Sequence, residues 1–445
     1  MKVVVVGTNH AGISAANTLL DSDQDVEVTL LDRNSNLSYL GCGTALWVGR
    51  QIDGYEGLFY TNAADFEAKG AKISLETEVK EIDFENKVVY AETKSGEKLE
   101  ENYDKLVLAT GSLPIAPKLP GHDLDGLHFL KLFQEGQAVD KALAADDANV
   151  VCVIGAGYIG VEIAEAAARR GKEVHIFDAE AHSLMNYYDE DFAVAMDENL
   201  RANGIHTHFG ELAEEYLGEN GKVTGLKTTK GEYKADVIIN CIGFRPNAGL
   251  GADHLETFVN GAYLVDRTFK TSDDAVYAVG DCATNYSNAV NDTAYIALAS
   301  NAVRSGIVAG QNILGNHVEG AGIQGSNGIE IFGLKLVSTG LSVRAAEKNG
   351  LKVKYTDIED TQLPGFMPAD ENAEVKLRIV YEEESRRIVG AQMVSHYDVS
   401  MGIHMFSLAV QEQLTIDKLA LLDLFFLPHF NQPYNYITKA ALKAE

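Results

Sequence analysis

The sequence has little cysteine, proline and tryptophan, and it lacks any long hydrophobic run. Its 445 residues include 4 Cys, 8 Pro and 1 Trp, against 41 Gly. No apolar stretch approaches the roughly 18 residues that a membrane-spanning helix needs. The N-terminal MKVVVVG is also too short for the apolar core of a signal peptide. We therefore expect a soluble, cytoplasmic protein that does not act on a membrane.

Positive charge is scarce as well. The chain has 37 Lys and Arg against 65 Asp and Glu, a formal net charge of −28, and no cluster of basic residues. Binding to a phosphate backbone depends on such clusters, because they displace its counterions. This composition excludes DNA, RNA and anionic lipid surfaces as expected partners.

The cysteines are too far apart for a disulfide framework or a CxxC metal site. Cys152 lies in VVCVIG and Cys241 ends VIINC, so we predict both to be small apolar side chains on buried strands. Cys282 is likewise far from every other cysteine in the sequence. Cys42 differs, because it lies between two glycines in LSYLGCGTALWVG with no second cysteine within reach.

An internal repeat organises the first half of the chain. KVVVVGTNHAGISAANTLL is followed by VEVTLLDR, and NVVCVIGAGYIGVEIAEAAARRG is followed by VHIFDAE. Each pair predicts a strand, a glycine turn, a helix and a second strand ending in an acid. In the second unit Gly155, Gly157 and Gly160 complete a GxGxxG fingerprint, and Asp178 lies 18 residues beyond Gly160. This spacing predicts a dinucleotide site with the pyrophosphate at the helix N-terminus and the acid on a ribose.

The first unit departs from the fingerprint at its middle position. It has Gly7, Asn9 and Gly12, with Asp32 20 residues beyond Gly12. Asparagine tolerates unusual backbone angles better than most residues, so the turn can still form. How closely this backbone approaches a phosphate is left open.

Three further strands stop abruptly at glycine, in YDKLVLATGSLP, ADVIINCIGFRPN and AVYAVGDCA. Segments such as GKVTGLKTTKGEYKADVII predict meander sheets beside the nucleotide units. From about residue 325 the glycine turns disappear, and the pattern predicts antiparallel strands followed by helices. The predicted fold class is therefore α/β, with two Rossmann-like units and a C-terminal α+β domain.

These features together resemble the flavoproteins related to the disulfide reductases. The resemblance rests on the two units, on Ala109-Thr110-Gly111 between them, on Gly280-Asp281 and on the C-terminal domain, and it covers the whole chain. It implies FAD on the first unit, NADH on the second and a homodimer through the third domain. The implied domains are FAD-binding at 1–113 and 246–322, NAD(H)-binding at 114–245 and dimerisation at 323–445.

The disulfide-reducing members of this superfamily carry two cysteines five residues apart, whereas this chain has Trp47 five residues beyond Cys42. A single cysteine here resembles the NADH oxidases, the NADH peroxidases and the coenzyme A disulfide reductases. SYLGCGTALWVG and FFLPHFNQPYNYITKAA most resemble the water-forming NADH oxidases. This resemblance implies reduction of O₂ to water, with Cys42 cycling between thiolate and sulfenic acid.

The resemblance also implies roles for single residues. His10 would lie beside Cys42 and hold a proton or stabilise the sulfur anion, the alternative being a turn residue that only caps its helix. A helix start at Cys42 would depress the thiol pKa. Tyr158 would be a gate for nicotinamide, the alternative being plain packing. A helix starting near Thr293 would direct its N-terminus at the flavin.

The expected contacts divide between the two nucleotides. Those to FAD are Gly7, Asn9, Gly12, Asp32, Arg33, Ala109, Thr110, Gly111, Gly280 and Asp281, with Asp32 at the adenosine ribose and Asp281 at the ribityl chain. Those to NADH are Gly155, Gly157, Tyr158, Ile159, Gly160, Asp178 and Gly243. No Lys or Arg lies between Ala179 and Asp191, so we predict a preference for NADH over NADPH. The alternatives are an NADH peroxidase, a coenzyme A disulfide reductase and, in a different class, an NAD(H)-sensing flavoprotein.

Overall fold

The structure, a computed structural model, describes residues 1–370 and 372–445. Residues up to 114 form β1 (Lys2–Val6), α1 (His10–Leu20), β2 (Glu27–Leu31), α2 (Thr44–Val48), α3 (Ala63–Ala68), β3 (Lys72–Ser74), β4 (Thr77–Asp83), β5 (Val88–Thr93), β6 (Lys98–Asn102), β7 (Lys105–Leu108) and β8 (Ser112–Pro114). Residues 115–246 form β9 (Leu127–Phe129), α4 (Phe133–Ala144), β10 (Val150–Ile154), α5 (Tyr158–Arg169), β11 (Glu173–Asp178), α6 (Glu190–Ala202), β12 (His206–Phe209), β13 (Ala213–Glu219), β14 (Lys222–Thr228), β15 (Glu232–Lys234), β16 (Val237–Asn240) and β17 (Phe244–Pro246).

The second half of the chain is richer in long antiparallel strands. Residues 247–340 form β18 (Val276–Ala278), β19 (Asn285–Ser287), β20 (Asp292–Ala294), α7 (Ala299–Ile313), β21 (Asn327–Ile331) and β22 (Leu334–Gly340). The remainder forms α8 (Val343–Lys348), β23 (Val353–Thr361), β24 (Glu374–Glu382), β25 (Ile388–Ser395), α9 (Ser400–Gln411), α10 (Ile416–Ala420) and α11 (Tyr436–Leu442).

The first βαβ unit forms a parallel sheet of order β18-β7-β1-β2-β3. The four valines of β1 are all buried, which is typical of a parallel strand covered on both faces. β18 pairs with β7 although it follows the whole second unit, so the chain returns to its first sheet. The meander β4-β5-β6 accompanies this sheet as an antiparallel layer.

The second unit forms a parallel sheet of order β12-β11-β10-β16-β9, accompanied by the predicted meander β13-β14-β15. Cys152 lies in β10 and is fully buried, as predicted. The prediction for Cys241 is wrong by one position, because β16 ends at Asn240 and Cys241 is only half-buried. The strand ends there because the chain turns toward Gly243, whose φ is +112°.

The helix predicted near Thr293 begins later. Asp292–Ala294 pairs as β20 with β19, and α7 starts only at Ala299, after the extended residue Leu298. Thr293 is a β-branched residue that favours a strand, and the helix begins only after this pairing ends. α7 then packs on α1 through glycine. A Cβ on Gly306 would lie 2.2 Å from the carbonyl oxygen of Ala11.

The C-terminal domain is an antiparallel sheet of order β21-β22-β25-β24-β23, with α9, α10 and α11 after it. Phe406 on α9 and Met393 on β25 are fully buried in one apolar core. This arrangement confirms the predicted strands-then-helices pattern. Within residues 1–370 and 372–445, no helix combines the length and hydropathy that crossing a bilayer requires.

Candidate active site

The first glycine turn leaves the N-terminus of α1 open to an anion. Gly7 has a φ of +107°, and a Cβ on Gly12 would lie 1.9 Å from the Gly7 carbonyl oxygen, so only glycine allows this turn. The N-cap Asn9 makes no side-chain cap bond. The first-turn N–H groups of a helix have no intrahelical partners, and they carry a partial positive charge. Asp32 fixes the turn by accepting a hydrogen bond of 2.7 Å from the Thr8 amide.

Two other predicted segments adjoin this turn. A Cβ on Gly7 would lie 2.2 Å from the Ala109 carbonyl oxygen, and one on Gly280 would lie 2.9 Å from Ala11 Cβ. The hydroxyl of Thr110 donates to the carbonyl of Asn247 at 2.6 Å. The remaining predicted members of this cradle are Gly111, which has a φ of +70° and open space beside it, and Arg33, which is exposed. The residues present therefore fit the diphosphate and riboses of FAD.

The second glycine turn has the same geometry at the start of α5. A Cβ on Gly160 would lie 1.8 Å from the Gly155 carbonyl oxygen, whereas a Cβ on Gly157 would meet nothing within 4 Å. The open side at Gly157 is where backbone can approach a pyrophosphate. Asp178 accepts a hydrogen bond of 2.6 Å from the Ala156 amide, which holds the carboxylate at the turn. Ile159 packs against the adjoining core, and Gly243 follows β16 at the edge of this cradle.

Tyr158 is anchored at its hydroxyl. That hydroxyl bonds with the Tyr188 hydroxyl at 2.9 Å and donates to the amide oxygen of Asn327 on β21. The ring centroid lies 4.4 Å from that of Tyr187. Movement of Tyr158 as a gate would have to break these bonds, and the gate role stays a prediction.

Cys42 lies in a short 3₁₀ turn, Gly41–Gly43, directly before α2. Its side chain is accessible to solvent, yet it lies in a cleft whose walls raise the thiol pKa, first through burial and then through the charge of Glu162. The charge of Lys131 lowers this pKa, but its effect is smaller than the increases caused by burial and by Glu162. The prediction of a depressed pKa is therefore wrong, because a 3₁₀ turn and a five-residue helix supply little dipole field. Trp47 occupies the position where the disulfide-reducing members carry their second cysteine. Its side chain is buried and packs on Tyr55.

A polar network joins the two sides of the cleft. The ammonium of Lys131 lies 3.0 Å from Asp281 Oδ2 and 2.5 Å from the hydroxyl of Ser112. Ser112 in turn donates to Asp281 Oδ2 at 2.8 Å. The predicted FAD ligand Asp281 thus carries a compensated charge, and Lys131 is held where its field reaches Cys42.

His10 contacts Tyr60 in preference to a helix cap. Its Nδ1 lies 3.1 Å from the Tyr60 hydroxyl, and the two rings stack at 5.7 Å between centroids. Burial lowers the pKa of His10, although the charge of Asp281 opposes this effect. Burial raises the pKa of Tyr60 to about 12, so the phenol is a donor to a neutral imidazole at pH 7.

Sequence reasoning missed four residues of this cleft. Ser112 directly follows Ala109-Thr110-Gly111, and Glu162 lies one turn beyond Tyr158 on α5, so position in a motif could have found both. Burial, followed by the charge of Glu165, raises the pKa of Glu162 to about 7. Lys131 and Tyr60 lie in loops that carry no motif.

The chain is similar to known proteins over its whole length. A family model described as pyridine nucleotide-disulphide oxidoreductase matches residues 1–306, and its dimerisation domain matches residues 328–435. An NADH oxidase from Lactococcus lactis is 62% identical over 447 residues, covering 100% of both chains. One from Streptococcus pneumoniae is 51% identical, covering 100% of this chain and 99% of that protein. The solved water-forming NADH oxidase from Lactobacillus brevis bound to NADH superposes with a TM-score of 0.96 at 37% identity, covering 99% of this chain and 97% of that one.

Proposed function

The chain belongs to the pyridine nucleotide-disulphide oxidoreductase family, and from that membership we propose that it is an FAD-dependent NADH oxidase that reduces O₂ by four electrons to water. The observation that carries the proposal is an accessible thiol, Cys42, that is acted on by the charges of Glu162 on α5 of the second unit and of Asp281, a predicted FAD ligand. The relatives named NADH oxidase, and the water-forming oxidase among the solved structures, support the same activity.

The first cradle would hold FAD through Gly7, Asn9, Gly12, Asp32 and Asp281. When bound, FAD would supply two-electron transfer from NADH to oxygen and to sulfur. The second cradle would hold NADH, with Asp178 accepting from the ribose hydroxyls and excluding a 2′-phosphate by repulsion. The division into FAD-binding residues 1–113 and 246–322, NAD(H)-binding residues 114–245 and a dimerisation domain at 323–445 belongs to the same proposal. The return of β18 to the first sheet supports it.

Cys42 would act on hydrogen peroxide, the product of the first two-electron step. Its thiolate attacks one peroxide oxygen, so that an S–O bond forms and the O–O bond breaks. The departing hydroxide takes a proton and leaves as water. Cys42 is then a sulfenic acid, and two electrons from a second NADH with one proton return it to the thiolate and release the second water.

We assign proton transfer at Cys42 to two groups, of which Glu162 is close enough for its charge to act on the thiol. His10, as a neutral imidazole bonded to Tyr60, can take a proton from the thiol or give one to the departing hydroxide. Glu162, whose pKa is about 7, exchanges a proton near neutral pH. Lys131 lowers the thiol pKa through its charge and so increases the thiolate fraction.

The same proposal includes a homodimer in the cytoplasm, where NADH is generated. The C-terminal domain presents large apolar side chains to solvent: Met401, Leu408, Leu421, Phe425, Phe430 and Tyr434 are all more than half exposed. A contiguous exposed apolar surface on a folded domain marks an interaction site. A family model named for dimerisation covers this region.

The test measures oxygen uptake and NADH oxidation in one sample, with a peroxide assay. We expect about two NADH oxidised per O₂ consumed and no free peroxide. About one NADH per O₂ with accumulating peroxide would show that Cys42 does not act on peroxide formed in this cleft. Negligible uptake followed by rapid NADH loss on adding hydrogen peroxide would identify a peroxidase. A stable reduced protein without turnover would favour an NAD(H) sensor.

A further inference from the structure

Three histidines meet at the edge of the second parallel sheet, among residues to which the proposed oxidase activity gives no role. β12 is the edge strand, and its His206 lies directly opposite His175 on β11 in the strand register. Their rings stack with centroids 4.6 Å apart. His208 lies two residues further along β12, on the same face of the strand.

Glu173 completes a set of three possible metal ligands with His175 and His206. One donor atom from each of the three side chains lies within 4.8 Å of the other two. Glu173 Oε1 and His175 Nε2 are 3.1 Å apart, close to the separation of about 3.3 Å between two ligands on one tetrahedral zinc ion. Glu173 and His206 are exposed, so rotation of the His206 ring out of its stack on His175 can bring the third donor to the same point.

A hydrogen bond to His208, which itself has a longer ionic contact with Glu211, orients the central ligand. His175 Nδ1 lies 2.9 Å from His208 Nε2, and His208 Nδ1 lies 3.9 Å from the carboxylate of Glu211. Glu211 is buried and accepts from the hydroxyl of Thr228. When His175 Nδ1–H donates to His208, the lone pair of Nε2 faces Glu173. Metal-bound histidines are held in this way by their second nitrogen.

We propose that Glu173, His175 and His206 bind a divalent transition metal ion, with Zn²⁺ as the ion they suit best and water in the fourth position. Two imidazoles and one carboxylate are borderline ligands that favour Zn²⁺ over Mg²⁺ or Ca²⁺. The bound ion joins the edge strand β12 to β11. The site stabilises the sheet that carries Asp178 and takes no part in electron transfer.

The test titrates the FAD-loaded protein with Zn²⁺ by calorimetry and follows amide hydrogen exchange of residues 206–209. We expect one ion per chain with a Kd in the micromolar range and slower exchange in β12 when zinc is bound. His206→Ala removes an exposed ligand, so this variant folds and weakens binding at least tenfold. The matched control, His122→Ala, changes another exposed histidine and leaves binding unchanged.

Two outcomes would overturn the proposal. One is zinc binding that is equal in the wild type and His206→Ala but lost in Cys42→Ser, because the active-site thiol is then the ligand. The other is no binding, or binding without protection of β12, at zinc concentrations that saturate a micromolar site.

In the site proposed, Co²⁺ gives a tetrahedral visible spectrum without a thiolate charge-transfer band, and this spectrum disappears in His206→Ala.

Discussion

The guanidinium of Arg344 donates two hydrogen bonds, each of 3.0 Å, to the carboxylate of Glu180. Glu180 lies two residues beyond Asp178, the acid proposed to bind a ribose at the end of β11, whereas Arg344 comes from α8 of the C-terminal domain. The segment between Ala179 and Asp191 has no Lys or Arg of its own, only His182, but the fold brings an arginine beside it. Glu180 pairs with that charge, so we expect the pair to contribute to the discrimination between NADH and NADPH.

We expect Glu180→Gln to raise kcat/KM for NADPH by about threefold to tenfold while leaving that for NADH within about twofold, because Arg344 keeps its charge without a counterion. The effect should shrink in high salt, since both side chains are partly exposed. The measurement is the ratio of the two kcat/KM values at low and high ionic strength. The double variant Glu180→Gln, Arg344→Gln should lose the gain, and a gain that persists in it would contradict this role for Arg344.

Cys42→Ser should still oxidise NADH with O₂ but release hydrogen peroxide. The dinucleotide cradles do not include Cys42, whereas capture of peroxide requires its thiolate. We expect the ratio of NADH to O₂ to fall from about two to about one. Cys241→Ser is the matched control, because Cys241 is half-buried and its pKa is raised to about 12, and it should keep the wild-type ratio. A Cys42→Ser protein that forms only water would disprove the peroxide-trap role.

The charges of Glu162 and Lys131 should shift the pKa of Cys42 in opposite directions. Glu162 raises this pKa and Lys131 lowers it, so Glu162→Gln should lower the thiol pKa and Lys131→Met should raise it. Glu162 loses its own proton near pH 7 and becomes negatively charged. The pKa of Cys42 in the wild type should therefore rise as the pH rises through 7. The pH dependence of alkylation at the Cys42 peptide, followed by mass spectrometry, measures these shifts. Equal profiles in both variants would show that the two charges do not reach the thiol.

The dinucleotide cradles were accessible to sequence reasoning because each is a local pattern. Strand, glycine turn, helix and acid lie within one continuous segment, and steric limits at Gly7 and Gly155 leave few other residues possible. The antiparallel C-terminal domain was predicted for the same reason, from alternation within single strands. The helix near Thr293 was misplaced because Asp292–Ala294 pairs with β19, and the resemblance gave no sign of this pairing.

The charges that control the cleft were not accessible in this way. Lys131 meets Asp281 across 150 residues, and Arg344 meets Glu180 across 164 residues. Neither contact could be predicted from the spacing of residues along the sequence. The pKa of Cys42 likewise depends on burial and on Glu162, which only the folded structure brings near, so the expected helix start alone predicted its direction wrongly.

Gly12→Ala should abolish tight binding of FAD. The new Cβ would lie 1.9 Å from the Gly7 carbonyl oxygen, so the turn and the N-terminus of α1 must separate. We expect at least a hundredfold loss of FAD affinity, seen as colourless protein after purification and weak rebinding by fluorescence. Gly249→Ala is the matched control, because its Cβ would meet nothing within 4 Å and its φ is not in the left-handed region. Retention of FAD by Gly12→Ala would show that this turn does not contact the cofactor.

A charge on the exposed apolar face of the C-terminal domain should separate the proposed dimer. Leu408 on α9 is 55% exposed and Phe425 is 68% exposed, although both are large apolar side chains. If a second copy covers them, Leu408→Glu or Phe425→Glu places an unpaired carboxylate in a desolvated interface, which costs several kcal/mol. We expect both variants to sediment as monomers at micromolar concentration, where the wild type is a dimer. Leu212→Glu is the matched control, since Leu212 is 57% exposed in the segment between β12 and β13, outside that domain. Dimers in all three variants would place the interface on another face.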